Sequence, residues 1–240
     1  DTHQGTRYGP ETKSFDRLIN AGEILSQKGA VLVGINGDIA TNNVEREYYL
    51  HGEAVKEIFA IDPTMPIYTV TGNHEARVSE YDLLKAGMVS AGVVILENDQ
   101  AEINIDGDTI TLIGVNDPSF QTDYLFGDSD AVINAKLTEL HTDGNGFTIL
   151  LSHRPELFSI YAAHDVDLVL SGHAHGGQFR IPFIGGVVAP NQGLFPEFDA
   201  GVYTDGNTNM LVSRGVGNSI IPFRVNNRPE IILVELKANN

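Results

Sequence analysis

Val166-Asp167-Leu168-Val169-Leu170-Ser171-Gly172-His173-Ala174-His175 is an apolar run that breaks off at a glycine and two imidazoles. A short run of this kind reads as a buried strand, and the polar residues after it lie where the sheet opens onto a crevice. In extended chain His173 and His175 alternate across Ala174 and point the same way, so both can face one opening and serve different ions. Two structural histidines would give the same letters, so recurrence of the pattern along the chain has to decide.

The pattern recurs. Ile67-Tyr68-Thr69-Val70 runs into Gly72-Asn73-His74-Glu75, Ile149-Leu150-Leu151 into Ser152-His153, and Val31-Leu32-Val33-Gly34-Ile35 into Gly37-Asp38, while Asp1-Thr2-His3 opens the chain. Five of the eight histidines therefore sit in short Gly-, Asn- or Asp-containing motifs. Singly, each motif has a plainer reading. Asp1 and His3 also fit a terminal turn, Asp38 a turn carboxylate or helix cap, and His153 a structural strand-end histidine. As ligands, Asp38 would screen the repulsion of two divalent ions it bridges, and Asn73 would offer a neutral amide oxygen. His74, next to Asn73, faces a neighbouring position, with Glu75 or an acid from another loop available to keep it protonated. His51, His141 and His164 stand in or beside helical segments without a second ligand type and stay outside the site.

Composition narrows the function classes. The chain has 240 residues, enough for one large domain over 1–240 with a full core, and carries a formal net charge of −17. That charge repels a nucleic-acid backbone, and an anionic substrate would need a local positive focus of the kind clustered cations supply. Cysteine is absent, which removes disulfides, thiolate zinc sites and Cys nucleophiles. No run approaches the roughly 18 apolar residues of a spanning helix. The chain opens at Asp1 inside a ligand motif, without an initiator Met or a strand before it. We therefore expect upstream residues holding a first strand, a cleaved signal or a membrane anchor, and a membrane-associated or extracytoplasmic location ahead of a cytoplasmic one.

The order of elements is that of a layered α/β domain. Residues 12–28 place Phe15, Leu18, Ile19, Gly22 and Leu25 near one helical face ahead of a strand at 31–35. Helices are predicted at 44–61 and 79–91, the latter capped by Ser79, with a strand at 67–71 between them. Strands follow at 93–96, 101–105 and 109–115, the last two joined by a hairpin at Ile105-Asp106-Gly107-Asp108. A helix at 130–140, a strand at 147–151, a helix at 156–163 and a strand at 166–170 come next. Residues 181–206 are Pro/Gly-rich, and strands at 210–213 and 230–236 close the chain. Mixed parallel and antiparallel signals suggest two packed sheets with helices outside.

Taken in order, Asp-x-His, Gly-Asp, Gly-Asn-His-Glu, Ser-His and Gly-His-x-His resemble the five blocks of the calcineurin-like metallophosphoesterase superfamily. Gly176-Gly177-Gln178 and Ser213-Arg214-Gly215-Val216-Gly217 extend the resemblance to its bacterial YkuE-like branch. The resemblance implies a four-layer α/β/β/α sandwich of two mixed sheets flanked by helices. It also implies two divalent ions (Mn, Fe or Zn), the first held by Asp1, His3, Asp38 and His175 and the second by Asp38, Asn73, His153 and His173. His74 would stay off the metals and protonate the leaving group as an activated water attacks phosphorus in line. One departure is Ile39-Ala40-Thr41-Asn42, where many relatives carry an acid or Asn four residues after the start of Gly-Asp; this touches no direct ligand.

The implied activity is hydrolysis of a phosphate ester, with a diester preferred. Its substrate would be a small or lipid-linked phosphoester, because the apolar residues between 181 and 198 can form a flap beside the site, although packing over the core is the reading favoured here. A pyrophosphohydrolase acting on a nucleotide-activated lipid precursor is the enzymatic alternative, and a non-catalytic metal-binding scaffold the alternative of another class. Arg7, Arg154 and Arg214 lie nearest the motifs and could each hold a phosphate or form a structural ion pair.

Overall fold

The computed structural model describes residues 12–30, 32–39, 62–105, 107–121, 128–140, 146–217 and 223–237. Asp1, His3, Arg7, His51, His141 and the helix predicted at 44–61 lie outside them. Helix α1 (Thr12–Gln27) leads into β1 (Val33–Asn36), and β2 (Ile67–Val70), α2 (Tyr81–Ser90) and β3 (Val94–Ile95) follow. The three strands form one parallel sheet in the order β1-β2-β3. Strands β4 (Asp99–Ile105) and β5 (Asp108–Gly114) make the expected hairpin, with Ile105 opposite Asp108. They are followed by α3 (Ser129–Glu139), β6 (Phe147–Leu151), α4 (Phe158–Ala163), β7 (Leu168–Ser171), β12 (Gly201–Asp205) and β13 (Thr208–Val212). The second sheet runs β12-β13-β7-β6-β5-β4, parallel in the middle and antiparallel at both ends.

Three apolar clusters separate four layers. Leu84 and Met88 of α2 pack on Ile35 and Ile67 of the small sheet. Val70 and Leu96 meet Leu112, Ile149 and Leu151 between the two sheets. On the far side Ile113, Leu150, Val169 and Met210 meet Ile133 and Leu137 of α3 and Phe158 and Tyr161 of α4. Strand β6 shows how alternation builds this: Ile149 and Leu151 face the other sheet while Leu150, between them, faces the helices. A continuous apolar run is what a strand buried on both faces requires, and each such side chain contributes roughly 1.5–3 kcal/mol of burial. The α/β/β/α sandwich implied by the motifs is therefore the observed architecture. No helix among the described residues is long and apolar enough to cross a membrane.

The structure corrects three details of the sequence reading. Ser79 does not cap α2: the N-cap is Glu80, without a side-chain cap bond, and the Ser79 hydroxyl binds the Glu80 carboxylate instead. Residues 230–237 form no strand, although Glu230-Ile231-Ile232-Leu233-Val234 has strand composition. A strand needs a ladder, and among the described residues no strand pairs with this segment, which instead lines a cavity of about 1260 Å³ together with Leu25, Leu32, Ile149 and Leu168. Within the Pro/Gly-rich segment lie β8 (Arg180–Ile181), β9 (Gly185–Gly186), β10 (Val188–Ala189) and β11 (Gly193–Leu194), which make two small hairpins, and then β12.

Candidate metal centre

Four motifs stand at the C-terminal ends of parallel strands: Gly37-Asp38 after β1, Gly72 to Glu75 after β2, Ser152-His153 after β6 and Gly172 to His175 after β7. The first two loops touch backbone to backbone. A Cβ on Gly37 would lie 2.5 Å from the Gly72 nitrogen, and one on Gly72 would lie 2.2 Å from Asp38 Oδ1, so only glycine fits at either place. Glu75 locks them together. Its carboxylate accepts the backbone N–H groups of Asp38 (2.8 Å), Ile39 (2.7 Å) and Gly72 (2.7 Å). The carboxylate offered by sequence as a partner for His74 thus holds the Asp38 loop.

Asp38 is fully buried. Its Oδ1 accepts the backbone N–H of His74 at 2.9 Å, and its Oδ2 lies 3.1 Å from His153 Nε2. His153 Nδ1 is 2.7 Å from the Asn36 carbonyl, which can only accept, so that nitrogen carries a proton. Nε2 of the neutral ring then offers a lone pair toward Asp38 Oδ2 and toward Asn73 Oδ1, 3.1 Å away. Electron pairs converging on one buried point call for positive charge there. Burial works against a charge on the His153 ring, but the Asp38 carboxylate, Asp117 and the Asn36 carbonyl together outweigh burial and raise its pKa.

His173 completes the group. Ligand atoms of Asp38, His153 and His173 lie within 4.8 Å of one another, and all three residues are buried. Burial, reinforced by charge on His153, pushes the His173 pKa down to about 3 and keeps the ring neutral. Its Nδ1 is buried with no hydrogen-bond partner. A buried carboxylate, an amide oxygen and two imidazoles make an N/O donor set suited to Mn, Fe or Zn, and the residues fit a divalent ion. His175 is also buried but stands apart from this three-residue group, and the partners implied for it, Asp1 and His3, lie outside the described residues. His74 is half-buried at the head of the turn Glu75–Arg77. His164 ends α4 with Nε2 on Asn134 Oδ1, remote in role from the centre as its sequence setting suggested.

Behind these residues lies a layer of which the sequence pointed only to Arg154 and Arg214. Arg154 donates from Nε and Nη2 to the two Asp117 oxygens (2.7 and 2.8 Å), both side chains being buried. Of its two readings, the structural ion pair is the observed one. The Asp117 N–H in turn donates to Thr71 Oγ1, so the pair ties the His153 loop to the loop that carries Asn73. Arg214 faces Glu230, with Nε 3.5 Å from Oε2. Tyr161 fastens the same His153 loop through Ser152 Oγ and the Arg154 carbonyl, each at 2.7 Å. The apolar flap divides: Phe198 packs edge-on against Phe158 and Tyr203, whereas Phe183, Ile184, Leu194 and Phe195 are exposed.

Glu156 gives a pH prediction. Both its carboxylate oxygens are buried without hydrogen-bond partners, and burial raises its pKa from 4.5 to about 7 in the metal-free protein despite Arg154 Nη1 at 3.8 Å. The folded state therefore keeps a proton that the unfolded chain releases above about pH 4.5, and stability falls as pH rises toward 7. Glu156→Gln removes this loss. Urea unfolding of the metal-free variant should match the parent near pH 4.5 and exceed it by roughly 2–3 kcal/mol at pH 8. An equal difference at both pH values would contradict the assignment.

Comparison with known proteins agrees with the motif order. Residues 1–177 match the calcineurin-like phosphoesterase family. Over 211 residues the chain is 29% identical to the metallophosphoesterase YkuE of Bacillus subtilis, covering 87% of this chain and 68% of that one. It is 27% identical to the phosphodiesterase YaeI of Escherichia coli, with 85% and 70% covered. Among solved structures, TT1561 of Thermus thermophilus superposes with a TM-score of 0.56 at 14% identity, covering 85% of this chain and 84% of that one, and shares the fold.

Proposed function

The chain belongs to the calcineurin-like phosphoesterases, and from that membership we propose that it hydrolyses phosphodiesters at two divalent ions held on either side of Asp38. The carrying observation is the convergence of Asp38 Oδ2, Asn73 Oδ1 and His153 Nε2 on one buried point beside His173. Asp38, Asn73, His153 and His173 would hold one ion; Asp38, His175, Asp1 and His3 would hold the other. When bound, the ions supply Lewis acidity that lowers the pKa of water and offsets phosphate charge. Asp38 would contribute the negative charge that offsets the repulsion of two dications held by these residues. His74, whose main chain is fixed on Asp38, donates a proton from its side chain to the departing alkoxide. Similarity to a protein named phosphodiesterase supports the diester preference.

The test is a metal-stripped chain reloaded with Mn, Zn or Fe and assayed on bis(4-nitrophenyl) phosphate and 4-nitrophenyl phosphate. Diester turnover should return with metal, level off near two ions per chain and exceed monoester turnover. A loaded but inactive protein would favour the scaffold reading. The exposed Phe183, Ile184, Leu194 and Phe195 support a second reading, in which the leaving group is partly apolar, as in a pyrophosphate of a nucleotide-activated lipid. They would also suit a domain working beside a membrane.

A further inference from the structure

The hairpin β10–β11 makes a polar contact with the centre. Asn191, at the turn between Ala189 and Gly193, lies at φ 59°, a left-handed conformation that Asn tolerates better than most residues. From there its Oδ1 reaches His173 Nε2 at 2.9 Å. The turn is well fixed: Ala189 is buried in the helix-side core, the Gln192 side chain both donates to and accepts from the Phe198 backbone, and the Phe195 N–H donates to the Val187 carbonyl. Asn191 itself is exposed, so it stands at the rim with solvent on one side and a buried ligand on the other.

We propose that Asn191 is a positioning residue for the metal centre, fixing His173 as the Nε2–H tautomer so that Nδ1 is the atom presented to the ion. An amide oxygen can only accept, so the 2.9 Å contact requires the proton on Nε2. In the neutral ring Nδ1 then carries the lone pair, and Nδ1 is the buried atom that no protein group satisfies. Metal-bound histidines usually give their second nitrogen to an acceptor of this type, which sets ring orientation and raises ligand basicity. What distinguishes this chain is the source of the acceptor. It comes from the tip of a hairpin in the Pro/Gly-rich segment, whose neighbours Leu194 and Phe195 are exposed, so the loop that meets solvent at the rim also orients a ligand.

The proposal rests on the metal-site reading, and its test separates the two. Asn191→Gly keeps the left-handed turn and removes the amide, whereas Asn191→Asp keeps an acceptor. Long-range proton–nitrogen NMR of the metal-free, histidine-labelled full chain should show His173 as the Nε2–H tautomer in the parent and in Asn191→Asp, and a mixture in Asn191→Gly. Zinc titration should show one of two sites weakened about 10- to 100-fold in Asn191→Gly and restored in Asn191→Asp. An Nδ1–H tautomer in the parent, or unchanged zinc affinity in Asn191→Gly, would overturn the proposal. A zinc effect without phosphoesterase turnover would leave it standing and count against the proposed activity instead.

Discussion

Asp38→Ala is expected to lose at least one ion per chain and to lower kcat/KM for the diester by about 10³-fold, near the 4 kcal/mol that removing one partner of a buried charge group costs. The size follows from its surroundings. Asp38 is fully buried, its Oδ2 faces His153, and its Oδ1 is the anchor for the His74 backbone. Removing the carboxylate leaves His153 without its counter-charge and would take from the proposed pair of ions the anion between them. Asp38→Asn, which keeps the shape and an acceptor oxygen but not the charge, should fall between Ala and the parent. Metal content by plasma emission, measured beside turnover, checks both. An Asp38→Ala protein that is fully loaded and active would sink the bridging role.

His74→Ala should behave differently: kcat falls roughly 10²- to 10⁴-fold, the range of positioned general acids, while metal content stays near two. The reason is local. His74 gives Asp38 its main-chain N–H, which survives replacement of the side chain by Ala, and Glu75 holds the surrounding backbone from three amides. That main-chain bond stays when the imidazole is removed. The leaving group supplies an internal control, because 4-nitrophenolate needs little protonation and an alkoxide needs much. The loss should be small for bis(4-nitrophenyl) phosphate and large for an alkyl diester. Metal loss alongside activity would make His74 a ligand or a structural residue.

Much of the candidate site could be read because its proposed ligands follow strands directly. Asp38, Asn73, His153 and His173 each come within three residues of a strand end, and parallel strands bring such ends together without further information. The two-sheet layering was legible for a similar reason, since runs such as Ile149-Leu150-Leu151 leave neither face for solvent. What escaped depends on contacts far apart in sequence. Glu75 reaches amides 36 and 37 residues away, and Arg154 meets Asp117 across 37. Asn191 joins His173 from a turn whose letters show only a loop. Strand β12 was hidden inside the Pro/Gly-rich segment, although Asp205-Gly206 ahead of Met210 is a hairpin signal. Residues 230–237 show the converse, strand letters with which no strand pairs among the described residues.

The most direct measurement is a crystal of the manganese-loaded chain with anomalous diffraction collected at the manganese edge. Two peaks about 3.5–4 Å apart are expected, with Asp38 bound to both, one ion also on Asn73, His153 and His173 Nδ1 and the other on His175. A single ion, or a pair that Asp38 does not bridge, would contradict the proposed two-ion centre.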